Sequence, residues 1–374
     1  MAELEKYKIA IILGTRAELI KTFPVMRALQ DKKLPYYFIH TGQHSLGDLC
    51  KVFSVKQPDT ILSKEPKRSS KFDAKQTKAL FWNFFMVGKI RRTLKRLRGL
   101  KYVLYHGDTM TTADAALASS SFLNPLKKYK NVHLEAGLRS GRLFEPFPEE
   151  IVRRFADRLS DILIAVSKHA ENNLRKEGNR GKIITFGNTI VDSADIAYKI
   201  AQKRGTKILS KGRFALITVH RHENIKSKKR LRKIIEILSS LEIPAYFPLH
   251  DNTKKKIMDF GLYNQLASNK NIHLIEPMDY PSFIYQLKHC SLLICDGGSM
   301  QEESLIFQKP CIILRKATER QEGLETNFNY LSNLEVDNTK GKINEFFSKG
   351  FEPHSFKNPY GEKGLSRKIV NLLK

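Results

Sequence analysis

The feature that most limits what this chain can fold into is a repeated punctuation. Short, continuous apolar runs end abruptly in glycine or polar residues, and amphipathic stretches of helical period separate them. Tyr7–Leu13 (YKIAIIL) runs into Gly14-Thr15-Arg16, Tyr36–His40 into Thr41-Gly42-Gln43-His44, and Tyr102–Tyr105 into His106-Gly107-Asp108. Val132–Leu134 runs into Glu135-Ala136-Gly137, Asp161–Val166 into Ser167, and Ile183–Phe186 into Gly187-Asn188-Thr189. A strand with one wet face alternates apolar and polar residues, whereas a run apolar throughout and rich in β-branched residues is covered on both faces. Covered strands alternating with helices predict an α/β fold with a parallel sheet.

The pattern then restarts. Phe214–Val219 leads to His220-Arg221-His222-Glu223, Ala245–Leu249 to His250, Ile272–Ile275 to Glu276-Pro277, Leu292–Cys295 to Asp296-Gly297-Gly298, and Cys311–Leu314 to Arg315. A length of 374 residues suits two domains. The expected division is a first α/β domain over 1–187 and a second over 188–360, with the boundary region at Gly187–Thr206. At 41% hydrophobic residues there is material for two ordinary cores, which excludes a disordered or fibrous chain. No apolar run approaches the roughly 20 residues that span a bilayer. The acidic start MAELEKYKIAIILGT does not read as a secretory signal. Cys50, Cys290, Cys295 and Cys311 show no CxxC spacing and read as reduced core residues, so the expected location is the cytoplasm.

Charge adds a second constraint. There are 65 Lys+Arg against 38 Asp+Glu, a formal net charge of +27, which favours anionic partners: nucleic acid, an acidic membrane surface or phosphorylated small molecules. The densest basic run is Lys89–Arg98 (KIRRTLKRLR), with further clusters at Lys127–Lys130, Lys226–Lys233 and Lys254–Lys256. No zinc-finger spacing, ribonucleoprotein motif or heptad accompanies them, so specific nucleic-acid binding is not expected. The reading favoured for these clusters is a solvated, lysine-rich surface, with non-specific polyanion attraction as the alternative.

The polar residues able to do chemistry follow the strands at their C-terminal ends, where open α/β sheets bind ligands. Two such domains are expected to form one cleft. Gly14–Lys21 (GTRAELIK) opens a helix. It reads either as an anion-binding turn with Arg16 and Lys21 as cations, or as a plain strand-to-helix turn. Asp108 reads as a helix cap or as a reactive acid. Glu135 directly follows an apolar strand, and Glu149 and Glu150 stand at a helix start, where acids suit the dipole. Three carboxylates at element ends could converge on one pocket and supply the paired acids and bases of proton transfer at carbon. In the second half, His220 and Arg221 suit a diphosphate. Gly297 and Gly298 admit phosphate to a helix N-terminus. A glutamate one turn into that helix could accept ribose hydroxyls, and Arg320 is offered to a nucleotide. No HExxH or clustered His/Cys/Asp spacing points to a metal.

Taken together, GTRAELIK, TGQH, HGDTMTT, HLEAGLRSG, PFPEEIVRR, GNTIVDS, VHRHEN, GGSMQEES, LRKATERQEG and NPYGEKGLS resemble the UDP-N-acetylglucosamine 2-epimerase family, in the family's order over nearly the whole chain. The resemblance implies the GT-B architecture: two Rossmann-like domains across a cleft, with a C-terminal helix (361–374) returning to the first. It implies an enzyme needing neither a cofactor such as NAD nor a metal, a small-molecule partner UDP-GlcNAc or UDP-ManNAc, and a homodimer. The non-hydrolysing members invert C2 by eliminating UDP to give 2-acetamidoglucal and adding it back. By the matching motifs, Asp108, Glu135 and Glu149 are the proposed acid/base residues and His220 lies near the diphosphate. Arg16 and Lys21 are first-domain cations. Gly297, Gly298 and Ser299 form the phosphate turn, Glu303 binds ribose, Arg320 is a nucleotide-side arginine, and Met278 and Phe283 take the uracil positions.

The chain departs from the family pattern in four places. Ala17 replaces the proline of GTRPE, Gly297-Gly298-Ser299 replaces Ser-Gly-Gly, and Met278 replaces glutamine. Gln43, His44 and His250 match parts of an activator site, but Ser45-Leu46-Gly47 follows His44, so activation is not expected to be retained. Glu18-Leu19-Ile20-Lys21 argues against the hydrolysing branch. Retention of Gly141–Phe147 argues against the branch acting on UDP-2,3-diacetamido uronic acids. A GT-B glycosyltransferase would share the nucleotide turn without needing the three acids, and a polyanion-binding protein is the non-enzyme alternative.

Overall fold

In the computed structural model the chain forms two compact units, Met1–Ser193 with Tyr360–Lys374, and Ala194–Pro359. The structure describes residues 4–63, 75–141, 148–348 and 356–374, and the side chains of 75–84 fall outside that description. The Pro146-Phe147 part of the PFPEE motif, with the rest of 142–147, lies outside the described residues.

The first unit is built on a parallel sheet of β1 (Ile9–Leu13), β2 (Tyr36–His40), β3 (Thr60–Ile61), β4 (Tyr102–His106), β5 (Lys130–Ala136), β6 (Ile162–Ala165) and β7 (Lys182–Thr185). The strand order is β3-β2-β1-β4-β5-β6-β7. All five residues of β1 are buried, as a strand with layers on both faces requires. The second unit repeats the plan with β8 (Ala215–Thr218), β9 (Ala245–Pro248), β10 (Ile272–Ile275), β11 (Leu292–Cys295), β12 (Cys311–Ile313) and β13 (Asn329–Leu331), in the order β10-β9-β8-β11-β12-β13. Both are doubly wound α/β sheets, the fold class expected from the apolar runs. In each, the strand order reverses beside the unit's first strand, between β1 and β4 and between β8 and β11. That reversal opens a ligand crevice at the C-terminal strand ends.

The sequence reading missed two strands. β3 has two residues and β13 has three, and both stand at a sheet edge. An edge strand is covered less and paired once, so it needs no long β-branched run. The helix Leu365–Leu372 belongs to the first unit and packs on the helix Arg16–Asp31. The Asp192 carboxylate fixes its start by accepting from the Gly364 and Ser366 N–H groups at 2.6 and 2.7 Å. The four cysteines are buried and free. Among the described residues no helix is long and apolar enough to cross a membrane.

Candidate active site

In the first unit the turn after β1 is held by one carboxylate. Thr15 caps the helix Arg16–Asp31, and Glu18 completes a capping box. Glu18 is 3% exposed, and it accepts the Gly14 and Thr15 N–H groups at 2.7 Å each and the Thr109 and Thr112 hydroxyls from the loop after β4. Burial pushes its carboxyl up despite these donors. Glu18 therefore bolts the β1 turn to the β4 turn. The sequence reading did not single it out, although Thr-x-x-Glu was the available signal. Gly14 has a packing reason that the sequence did not reveal. A Cβ there would stand 2.1 Å from Thr111 Oγ1 and 2.3 Å from Thr41 Oγ1, so the glycine admits protein hydroxyls.

Glu135 sits where β5 shifts register against β6, between Leu134 and Ala136. Its φ of 69° lies in the left-handed region, a conformation that costs a non-glycine residue about 1–3 kcal/mol and is retained mainly at functional positions. Its carboxylate accepts from the Lys21 ammonium and, at 3.1 Å, from Asn188 Nδ2. The Asn188 amide is oriented because its Oδ1 accepts the Ile190 N–H at 3.1 Å. The other carboxylate oxygen lies 3.8 Å from His106 Nδ1. Burial holds the His106 imidazole down at about 3, so it is neutral at physiological pH. Lys21, read from the sequence as a phosphate-side cation of the loop, is 8% exposed here and partners Glu135. Arg16 is exposed, and its N–H donates to His44 Nδ1 at 3.4 Å.

The cap of the helix Met110–Ser119 is Thr109, so the capping reading of Asp108 falls away. Asp108 pairs with Arg153. Arg153 lies on the helix Glu149–Leu159 and also bonds Glu150 at 3.1 Å. Glu150 is fully buried and accepts the Ser140 N–H at 3.0 Å, which makes it a fastening for the loop after β5, while Glu149 opens the helix half-buried. The same turn is anchored from beneath. Both ring nitrogens of His133 face acceptors, Asp157 Oδ1 at 2.7 Å and the Gly107 carbonyl at 2.8 Å. Burial alone would raise the Asp157 carboxyl, but His133 and Arg139 outweigh it and hold it low. A Cβ on Gly107 would stand 3.3 Å from Glu135 Oε2. The His106-Gly107-Asp108 turn therefore touches Glu135 on one side and reaches the Glu149 helix through Arg153 on the other.

The second unit is organised differently. His220 follows β8, and its backbone N–H donates to both oxygens of Asp296 at 3.1 Å. Arg221 N–H and Asn224 Nδ2 bind the same carboxylate at 2.9 and 3.1 Å. Asp296 is wholly buried, whereas the His220 side chain is 41% exposed. Asp296, which nothing in the sequence marked out, is what presents His220. The ring of His250 lies 6.0 Å from it, and burial lowers the His250 imidazole. The helix Gly298–Ile306 starts at Gly297 without any side-chain cap, which leaves its first N–H groups for a ligand. A Cβ on Gly298 would stand 2.7 Å from Arg320 Nη1 and 2.8 Å from Glu319 Oε1. Arg320 is 3% exposed, paired with Glu319 and, at 3.2 Å, with Glu302. Arg320, read from the sequence as a nucleotide-side cation, is here buried under the turn and paired with carboxylates. Glu303 accepts from the Tyr280 hydroxyl at 2.7 Å. Ser299 is partly exposed on the first turn. Phe283 is 8% exposed within the core, with Met278 packed against the same cluster, so an incoming base would meet little of the Phe283 ring. Gln43 and His44 stand beside the β1 turn of the first unit, and His250 beside His220 in the second.

The family comparison decides what these arrangements belong to. The sequence model described as UDP-N-acetylglucosamine 2-epimerase matches residues 27–374. The chain belongs to the UDP-N-acetylglucosamine 2-epimerase family. It is 36% identical to the UDP-N-acetylglucosamine 2-epimerase of Methanococcus maripaludis, over 98% of both chains. It is 31% identical to the UDP-2,3-diacetamido-2,3-dideoxy-D-glucuronate 2-epimerase of Pseudomonas aeruginosa, over 83% of this chain and 84% of that one. The crystal structure of the Methanocaldococcus jannaschii UDP-GlcNAc 2-epimerase in complex with UDP-GlcNAc and UDP superposes with a TM-score of 0.80 at 33% identity, covering 98% of this chain and 99% of that one. The chain is therefore an enzyme of the 2-epimerase family, carrying its motifs at the strand ends just described.

Proposed function

We propose that this enzyme interconverts UDP-GlcNAc and UDP-ManNAc without hydrolysing either. A base removes the C2 proton, and the C1–oxygen bond breaks to release UDP and leave 2-acetamidoglucal. UDP then adds back while a proton is delivered to the other face of C2. Two proton-transfer groups are needed, and Asp108, Glu135 and Glu149 are the candidates. The observation that carries this reading is the Glu135 carboxylate, buried in a left-handed turn between the Lys21 ammonium and a neutral His106. Lys21 favours the ionised carboxylate, and burial keeps water from competing with a carbon acid. In the second unit, the open N-terminus of the helix Gly298–Ile306 and the exposed His220 side chain suit a diphosphate. Glu303 is the candidate for the ribose hydroxyls.

The kinship to the Pseudomonas aeruginosa enzyme supports a second reading, in which the sugar is a UDP-2,3-diacetamido uronic acid. A homodimer belongs to the proposal and is supported by Phe85, Ile151 and Phe155, large apolar side chains exposed on two helices of the first unit. The free, buried cysteines support a cytoplasmic setting.

Incubation with UDP-GlcNAc in deuterated water tests the chemistry. The expected result is UDP-ManNAc carrying deuterium at C2, with no stoichiometric release of free UDP. Label-free substrate with no new sugar nucleotide sinks the mechanism. Conversion only of the diacetamido uronic acid selects the second reading.

A further inference from the structure

The basic run Lys89–Arg98 has no part in the site, and the structure gives it a neighbour that the sequence did not. Arg91, in the C-terminal half of the helix Lys75–Arg96, donates through Nε to Asn124 Oδ1 at 2.9 Å and through Nη2 to the Leu123 carbonyl at 2.6 Å. Asn124 Nδ2 in turn donates to the Ala118 and Ser120 carbonyls at 2.8 and 3.1 Å, and Lys127 Nζ to the Ser119 carbonyl at 2.8 Å. The loop over residues 120–129, which leads into β5, is thereby fastened along the basic helix. What it displays is apolar: Phe122 is 76% exposed and Leu126 is 92% exposed. On this helix, on the loop and just past their ends, Arg92, Lys95, Arg96, Arg98, Lys128 and Lys130 are exposed and have no ion-pair partner among the described residues, and Lys95 lines the same depression as Leu126. A depression of about 370 Å³ separates the two elements, with Arg91 and Lys95 on one wall and Leu126 and Tyr129 on the other.

We propose that this edge of the first unit docks on an anionic lipid bilayer. Phe122 and Leu126 enter the boundary between headgroups and acyl chains, and the surrounding cations lie at the level of the lipid phosphates. Isolated exposed apolar residues need no explanation, but two large ones on a loop internally braced against a basic helix, with unpaired cations on both elements, match the composition of an interfacial membrane contact. A nucleic acid would satisfy the cations and leave Leu126 uncovered, which is why the bilayer is preferred. The loop precedes β5, so it lies at the N-terminal edge of the sheet, opposite the strand ends that carry Asp108 and Glu135. Docking there leaves those residues open to a soluble substrate.

Sedimentation of the full chain with vesicles tests this. With phosphatidylserine as about a third of the lipid in phosphatidylcholine, the protein should pellet at low salt, be released as ionic strength rises toward about 0.5 M, and stay in solution with pure phosphatidylcholine. Replacing Lys95, Arg96 and Arg98 together by Glu should weaken partitioning on the order of 100-fold. Phe122→Ser combined with Leu126→Ser should weaken it about tenfold or more while epimerase turnover and melting temperature stay unchanged. Failure to pellet with phosphatidylserine vesicles overturns the proposal. So does pelleting that the double serine variant leaves intact with duplex DNA of about 30 base pairs competing equally, since that is a polyanion surface. If the serine variant instead changes the oligomeric state and no vesicle binding is seen, the face joins copies of the chain and the proposal fails. Should the triple glutamate variant not fold, the salt and lipid dependence of the unmodified protein decides alone.

Discussion

The two units share a strand plan and use their strand ends in opposite ways. In the first unit the strand ends are crowded with side-chain charge: Lys21 with Glu135, Arg153 with Asp108 and Glu150, and His133 with Asp157 and Arg139. In the second unit the acids Asp296, Glu302 and Glu319 are buried as braces, and the groups offered outward are a backbone helix start and the ring of His220. Of these, Glu150 and the His133–Asp157 pair fasten the loops, while Asp108 and Glu135 are the carboxylates whose surroundings can set which protonation form they take. Backbone N–H groups cannot change protonation state. They hold an anion without reacting with it. Under the proposed function one topology carries a reactive end and a holding end, and the distinction lies in which atoms face outward and not in the sheet.

The sharpest way to break this contrast is Glu135→Gln. If Glu135 moves a proton, turnover should fall by about 10²–10⁴-fold while UDP affinity changes little. Deuterium exchange at C2 and UDP calorimetry on the same preparation read the two quantities separately. A variant that keeps near-normal turnover removes Glu135 from the chemistry. A variant that loses UDP binding to the same degree as rate erases the difference between the two units.

Much of this was legible in the sequence, for a definite reason. Strands buried on both faces must be apolar throughout, so their ends are visible, and the residues just past such an end in a doubly wound sheet lie at the ligand edge. Asp108, Glu135, His220 and Gly298 were singled out that way, and all four lie at or just past a strand end. Direction was not legible. Lys21 and Arg320 read as cations for a phosphate, yet both are folded back onto carboxylates of the protein. Residue type and spacing do not say whether a long side chain turns outward or inward, since that depends on partners more than 100 residues away for Lys21 and on a local brace for Arg320. Glu18, Asp296 and Asn188 were passed over because their work is to orient others, and an orienting residue resembles any other polar residue near a turn. The edge strands β3 and β13 were too short to carry a signal.

A smaller effect separates the site from its surroundings within the first unit. Asp114 lies on the helix capped by Thr109 and is 4% exposed, and its Oδ2 has no hydrogen-bond partner among the described residues. Burial pushes its carboxyl from the ordinary 3.8 up to about 8. A raised folded-state value means the group's contribution to stability is fully present below its unfolded value and is lost as pH rises toward the folded one. The penalty grows as pH rises from roughly 4 toward 8, then levels off. Asp114→Asn cannot ionise. Its melting temperature relative to the unmodified enzyme should therefore climb from pH 4 to pH 8 and hold above that, with turnover unchanged. A flat difference across that range shows that Asp114 is charged and paired. A large loss of turnover places it in the reactive cluster and enlarges that side of the comparison.

The smallest expected effect tests the holding end. At Gly298 a methyl group would meet Arg320 Nη1 at 2.7 Å and Glu319 Oε1 at 2.8 Å. Those atoms belong to flexible side chains, but here they cannot swing aside easily: Arg320 is pinned by Glu302, and Glu319 by Arg315 at 3.0 Å. Gly298→Ala should therefore cost about 1–3 kcal/mol of stability through overpacking and displace the helix start. UDP affinity should fall about tenfold, with turnover at saturating substrate reduced less. At Gly297 the nearest atoms are Met300 Sδ at 3.1 Å and His220 Cε1 at 3.4 Å, so Gly297→Ser is the milder change and should be tolerated. Calorimetric titration of UDP against both variants ranks them. If Gly298→Ala leaves UDP affinity intact while turnover collapses, the turn serves the reaction and not the anion, and the division between a reactive end and a holding end fails at the turn on which it rests.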